Sequence, residues 1–257
     1  MAATALYPMI TGFEVLDKTV STHNVGKGTI MREPIMVYLL QTDLGWVLID
    51  AGSNPKLIRD PDLRARYYGS GQPPDLDPER DLLRQMASIG VRPADVALVV
   101  ITHLHCDHAG NLRHFIHAPV LVQRAEHAYG YSAAATPQEG YFHIDYRDVG
   151  ARWQMLDGDH QVTAGLTLLS TPGHTSGHMS VLVDLPEGGP ILLAIDAGDL
   201  IENFVEEIAP GGHVDLEQAL ASLRRCKAVA LDRGGRLFPG HDPEFWARMR
   251  TVPACYR

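Results

Sequence analysis

Between Ile101 and Asn111 the chain reads Ile101-Thr102-His103-Leu104-His105-Cys106-Asp107-His108-Ala109-Gly110-Asn111, three imidazoles and a carboxylate directly after an apolar run. Imidazole and carboxylate are the side chains that hold first-row dications, and crowding them into one loop is costly without an ion to neutralise them. A lone histidine would read as a polar turn residue. His103, His105, Asp107 and His108 at this spacing predict a metal site. Three later residues share one context. His174 follows the apolar run Leu166–Leu169 through Ser170-Thr171-Pro172-Gly173, Asp196 ends Ile191–Ile195, and His241 ends Leu237-Phe238-Pro239-Gly240. Each is a polar group at the exit of a strand-like segment, where a turn aims it. Singly they could be turn histidines or a capping aspartate; together they repeat one design three times.

The elements that must position these residues are mixed. Ile35–Gln41 and Gly45–Asp50 read as a hairpin joined at Thr42-Asp43-Leu44, and Val96–Ile101 as a buried strand feeding the metal loop. Val120–Gln123, Trp153–Leu156, Leu166–Leu169, Met179–Asp184 and Ile191–Ile195 are further strands. Asp77-Pro78-Glu79-Arg80 predicts the opening of a helix, with Leu82, Leu83, Met86 and Ile89 as its apolar stripe and Gly90 as its stop. Asp215–Cys226 is a second helix, with Leu216, Ala219, Leu220 and Leu223 on one side. Strands mixed with helices indicate a layered α/β protein.

Two stretches, 54–77 and 129–150, read as long irregular segments rich in aromatic residues. Loops of that length in a compact domain are usually functional, and their aromatics argue against disorder. They are expected to be lids, with Tyr67, Tyr68, Tyr141 and Phe142 lining an apolar substrate pocket. Exposed tyrosines also suit a contact between copies, so a homodimer is a second expectation.

Bulk properties fit one enzyme domain over residues 1–257, with 45% apolar and 21% charged residues. A net charge of -9 argues against nucleic acid, whose phosphates demand a basic face. The N-terminus lacks the basic start and apolar core of a secretory signal, and no stretch approaches a membrane span. Three scattered cysteines read as free thiols in a reducing compartment, so the expected location is cytoplasmic. Cys106, between two of the site residues, is expected to point into the protein as a small hydrophobe.

The ordered set of seven polar residues, spread over roughly residues 35 to 245, resembles the metallo-β-lactamase superfamily. That resemblance implies an αββα sandwich and two metal ions, zinc first, with iron or cobalt as alternatives. His103, His105 and His174 would bind one ion, Asp107, His108 and His241 the other, and Asp196 would bridge them. Asp50, at the end of Val47-Leu48-Ile49, resembles the family's strand-end aspartate that supports the metal loop from behind. Two such ions lower the pKa of a bound water to about 7. Such ions would activate water toward a carbonyl or phosphoryl centre, and Asp107 would shuttle the proton to the leaving group.

The wording His103-Leu104-His105-Cys106-Asp107-His108-Ala109-Gly110-Asn111 is most similar to the lactonases that open N-acyl-homoserine lactones, the quorum-quenching enzymes. One departure stands out. Those lactonases carry a tyrosine three residues after the bridging aspartate, where this chain has Asp199, and an ionised carboxylate cannot donate a hydrogen bond. The alternatives are a lactonase for another small lactone and a glyoxalase-II-like thioesterase. The second is disfavoured because only sixteen residues follow His241. A β-lactamase is disfavoured by Asp107 and by the missing signal, and a di-iron redox enzyme by His105. A non-catalytic, metal-stabilised sensor would have no need of all seven ligands.

Overall fold

The structure, a computed structural model, describes residues 3–257. One sheet contains β1 (Ala3–Asp17), β2 (Ile30–Thr42), β3 (Gly45–Ile49), β4 (Val96–Val100), β5 (Pro119–Gln123) and β6 (Arg152–Leu156), in that order. The other contains β7 (His160–Thr163), β8 (Leu166–Ser170), β9 (Met179–Leu185), β10 (Gly189–Leu193) and β11 (Arg236–Phe238), in the order β11-β10-β9-β8-β7. The helices are α1 (Pro55–Arg59), α2 (Pro61–Tyr68), α3 (Leu82–Ser88), α4 (Cys106–Ala109), α5 (Arg124–Gly130), α6 (Ile201–Glu206), α7 (Leu216–Asp232) and α8 (Pro243–Trp246).

Strand alternation produces the layers, because successive side chains of a strand face opposite sides. Met36, Tyr38 and Leu40 of β2 join Val181, Val183, Ile191 and Leu193 in a core between the sheets. Val37 and Leu39 of the same strand face away and pack with Leu82 and Met86 of α3. On the far side, Leu182 and Leu192 are covered by Leu223, Cys226 and Ala230 of α7. This is the αββα sandwich, helix over sheet over sheet over helix. Cutting Leu40 or Leu193, both wholly buried, to alanine would cost about 2–5 kcal/mol.

Several elements differ from the sequence reading. Residues 54–77 are not an irregular lid but carry α1 and α2. Asn54 and Asp60 cap these helices by accepting from the Lys56 and Asp62 backbone N–H groups at 3.0 and 3.1 Å, and Pro55 and Pro61 occupy the first positions. Pro55 and Pro61 thus serve as helix starters. Asp77 opens a single 3₁₀ turn, while Asp81 caps α3 four residues later, accepting from Leu83 and Arg84 N–H at 3.0 and 3.2 Å. The helix expected over 215–226 continues to Asp232. β1 and β7 were not anticipated; β1 holds Pro8, Gly12 and a register shift between Ile10 and Gly12, which break its pattern. Residues 131–150 do remain largely irregular, with 3₁₀ turns at 137–139 and 143–145. Among the described residues no helix is long and apolar enough to cross a membrane, and all three cysteines are free.

Candidate metal centre

The two sheets aim their strand ends at one place. β3 and β4 run parallel, pairing Ile49 with Val100, so Asp50 and the loop 101–105 leave side by side. β8 and β10 share one direction, each antiparallel to β9, and β11 is parallel to β10. The turns carrying His174, Asp196 and His241 therefore emerge at the same edge. Ligand-binding groups gather at such strand ends in α/β proteins. The turns are tight. Ile195, a β-branched residue, sits at φ 53°, an outlier that persists only when its surroundings hold it. A Cβ on Gly240 would lie 2.6 Å from the Ile195 oxygen, so the residue before His241 has to be glycine.

Seven side chains converge. Donor atoms of His103, His105 and His174 lie within 4.8 Å of one another, as do those of Asp107, His108 and His241. Asp196 stands between the two triads and divides its oxygens. Oδ2 is 3.3 Å from His174 Nε2 and 3.7 Å from His103 Nε2. Oδ1 is 3.1 Å from His241 Nε2 and 3.4 Å from His108 Nε2. Asp107 Oδ2 is 3.0 Å from His108 Nε2 and 4.0 Å from His241 Nε2.

The far nitrogen of three of the rings is held, while His105 turns Nδ1 inward, 3.0 Å from His174 Nε2. His108 Nδ1 meets Asp50 Oδ2 at 2.8 Å, His241 Nδ1 meets the Pro34 oxygen at 2.9 Å, and His174 Nδ1 meets the Gly212 oxygen at 2.5 Å. These bonds put the Nδ1 proton away from the cluster and leave Nε2 as the inward donor. Asp50 also accepts from the Thr102 N–H and hydroxyl, both at 2.8 Å, and so ties β3 to the metal loop. Its backbone sits at φ 60°, unusual for a non-glycine residue.

Electrostatics divide the histidines. Burial pushes His103 well down and His105 down to about 3, helped by His108 and His174 respectively. Burial also opposes charge on His108 and His241, yet aspartates raise both well above the usual range, Asp107 and Asp196 foremost for His108 and Asp196 then Asp199 for His241. Asp107 is pushed up by burial but carried down to about 2 by His108.

Two further supports were missed in the sequence. His178, wholly buried, accepts the Asp196 N–H at 3.1 Å through Nε2 and so fixes the turn of the central carboxylate. Glu126, also wholly buried, accepts from the Leu104 and Gly177 N–H groups at 2.9 and 3.1 Å, clamping the metal loop to the His174 turn. Glu14 of β1 is a third omission. With Cys106 and Asp107 it forms a group whose donor atoms lie within 4.8 Å of one another. Cys106 is only half-buried; it packs beside Leu57, Tyr67 and Phe142 as expected of a hydrophobe, but its sulfur also borders Asp107.

The aromatic wall differs from expectation. Tyr141 is 1% exposed; its hydroxyl donates to Glu126 at 3.1 Å and its ring packs 4.9 Å from His105, so it supports the site from behind. Tyr67 and Phe142 are buried against each other at 5.1 Å. Tyr68 is half-buried and packs on Phe142 at 5.0 Å. Asp199 is buried beside Asp196 and His241. A cavity of about 860 Å³ lined by Glu187, Arg236, Arg248, Arg250 and Arg257 contains none of these residues; donor chemistry, rather than cavity size, marks the site.

Residues 31–241 match the Metallo-beta-lactamase superfamily. The chain belongs to that superfamily. An N-acyl homoserine lactonase of Bacillus sp is 34% identical over 245 residues, covering 95% of each chain. The N-acyl homoserine lactonase AttM of Agrobacterium fabrum is 33% identical over 241 residues, 91% of each. A solved N-acyl homoserine lactone hydrolase with the product N-hexanoyl-L-homoserine bound at its catalytic metal center matches with a TM-score of 0.89, at 29% identity over 100% of both chains. A metallo-beta-lactamase chain is a metal-dependent hydrolase, and the donors here fit a metal pair on their own terms. His103 Nε2 and His108 Nε2 are buried with no hydrogen-bond partner, although both face the cluster. Orphaned donors of this kind call for an explanation, and a dication in each triad supplies one.

Proposed function

We propose that this chain opens the ring of N-acyl-homoserine lactones at a binuclear metal centre, and so quenches quorum signals. The divided Asp196 carboxylate carries this reading, because a terminal ligand has no reason to present one oxygen to each triad. His103, His105 and His174 would hold one ion against Oδ2. Asp107, His108 and His241 would hold the other against Oδ1. Imidazole-rich donors suit zinc first, with iron or cobalt as alternatives. Two dications there would supply the Lewis acidity that makes water nucleophilic near neutral pH and polarises a carbonyl.

The chain's own residues do the rest. Asp107, held ionised by His108, would take a proton and pass it to the leaving ring oxygen. Tyr68, half-buried against Phe142, would offer an apolar face for the acyl chain. The lactonase relatives, matched over nearly the whole chain, support the lactone as the substrate class.

The test is a panel of N-acyl-homoserine lactones, a glutathione thioester, a phosphodiester and a β-lactam, offered to the metal-loaded protein. Ring opening, read as acid release in weak buffer, should exceed every other turnover. Thioester cleavage without lactone opening would instead favour the glyoxalase-II-like chemistry.

A further inference from the structure

Asp199 has no role among the groups described so far, and its surroundings are unusual for a carboxylate. It is 5% exposed, and its Oδ1 is buried without a hydrogen-bond partner. A ligand-capable oxygen of Asp199 lies within 4.8 Å of donor atoms of both Asp196 and His241. The approach is fixed by backbone. The Gly240 N–H donates to the Gly198 oxygen at 3.1 Å, and the His241 N–H donates to the Asp199 oxygen at 2.8 Å. The turn after β10 is thereby zipped to the turn after β11.

A buried carboxylate is tolerated when it is hydrogen-bonded, paired with a cation, bound to a metal or neutralised by a proton. Burial first and Asp196 second push Asp199 well above the usual carboxylate range while no ion is bound. Among the described residues no lysine or arginine pairs with Asp199. Glu33 of β2, Asp107 of α4 and Asp196 add negative charge nearby, against the single imidazole of His241. Such an arrangement lacks a positive centre.

We propose that Asp199 is an additional ligand to the ion held by Asp107, His108 and His241, an inference that rests on the binuclear reading above. That ion would then have two imidazoles, from His108 and His241, and three carboxylates, from Asp107, Asp196 and Asp199. Five protein donors exceed what tetrahedral zinc takes, and the oxygen-rich set suits a six-coordinate, harder dication such as manganese or iron(II). The triad of His103, His105 and His174 keeps the nitrogen-rich character that suits zinc. The centre is therefore asymmetric by construction, with a distinct metal preference on each side of Asp196.

Cobalt(II) tests this, since the intensity of its visible d–d bands falls as coordination number rises. The parent protein, Asp199→Leu and Asp199→Ala are loaded with two equivalents of cobalt, and each ion's affinity is read by competition with a chelator. The leucine variant keeps nearly the size of the side chain and offers no oxygen, so it carries the test if the alanine variant fails to fold. We expect both variants to gain band intensity at one ion and to lose that ion's affinity by more than the 10–100-fold usual for losing an outer partner of a ligand. The other ion should be unchanged. An unchanged spectrum overturns the assignment even if affinity falls, because that pattern marks a supporting residue rather than a ligand. A parent protein that takes up only one cobalt ion overturns the binuclear reading itself, a failure distinguishable from the first.

Discussion

Replacing Asp50 with asparagine should move one proton on His108 and, through it, loosen one metal ion. Asp50 receives three donors on two oxygens: the Thr102 N–H on Oδ1, and the Thr102 hydroxyl and His108 Nδ1 on Oδ2. Asparagine has one oxygen and one NH₂ group. If the oxygen faces the Thr102 N–H, the NH₂ group faces His108 Nδ1, and the ring must shift its proton to Nε2 to accept. Nε2 is the atom that looks toward Asp107 and Asp196 at 3.0 and 3.4 Å, and a protonated nitrogen cannot ligate. The opposite amide orientation leaves the Thr102 N–H facing an NH₂ group in the core. A lost hydrogen bond to a charged group costs about 1.5–3 kcal/mol, which is roughly a 10–150-fold loss of affinity for one ion. Chelator competition on Asp50→Asn reads this directly. Wild-type affinity at both ions would refute the tautomer argument, while equal loss at both would mean that the whole loop had moved.

Asp107→Asn should keep its metals at least in part yet lose kcat by about 10²–10⁴-fold, the range for a general acid–base group; near-normal kcat with both ions bound would leave Asp107 a ligand only. Tyr68→Ala should raise KM for long-chain lactones more than for short ones, since each methylene contact is worth about 0.8 kcal/mol. A uniform rise across chain lengths would assign Tyr68 to folding instead. Asp145 gives a pH signature. Burial pushes it up to about 7, against a partial offset from Asn54 and from Arg113 at 3.9 Å. The folded state therefore binds a proton that the unfolded state has released, so this residue makes stability fall as pH rises from about 4 toward 7. Asp145→Asn cannot ionise, and relative to the parent, in metal-free protein, it should gain up to ~4 kcal/mol across that window by urea unfolding. A difference that stays flat with pH would contradict the burial argument.

The candidate metal-binding stretch was readable because its chemistry is contiguous: His103, His105, Asp107 and His108 sit within six residues, and His174, Asp196 and His241 each follow an apolar strand. What supports them was hidden because it works across the chain. Glu126 meets Leu104 and Gly177 only after folding, across separations of 22 and 51 residues. His178 carries no local mark of its bond to the Asp196 backbone. Glu14 was hidden in β1, a strand whose proline, glycine and register shift erase the alternation that would have announced it. The helices α1 and α2 were missed for a different reason. In Asn54-Pro55 and Asp60-Pro61 the turn-forming pair and the capping pair are the same letters, and only the residues that follow decide between them.

Metal titration of the chelator-stripped protein, with N-acyl-homoserine lactone opening as the readout, tests the two-metal account most directly. If Asp196 joins two ions in one reacting centre, activity should remain low through the first equivalent where one triad binds more tightly, and should reach its plateau at two. Full lactone opening at a single equivalent, or in the stripped protein, would contradict it.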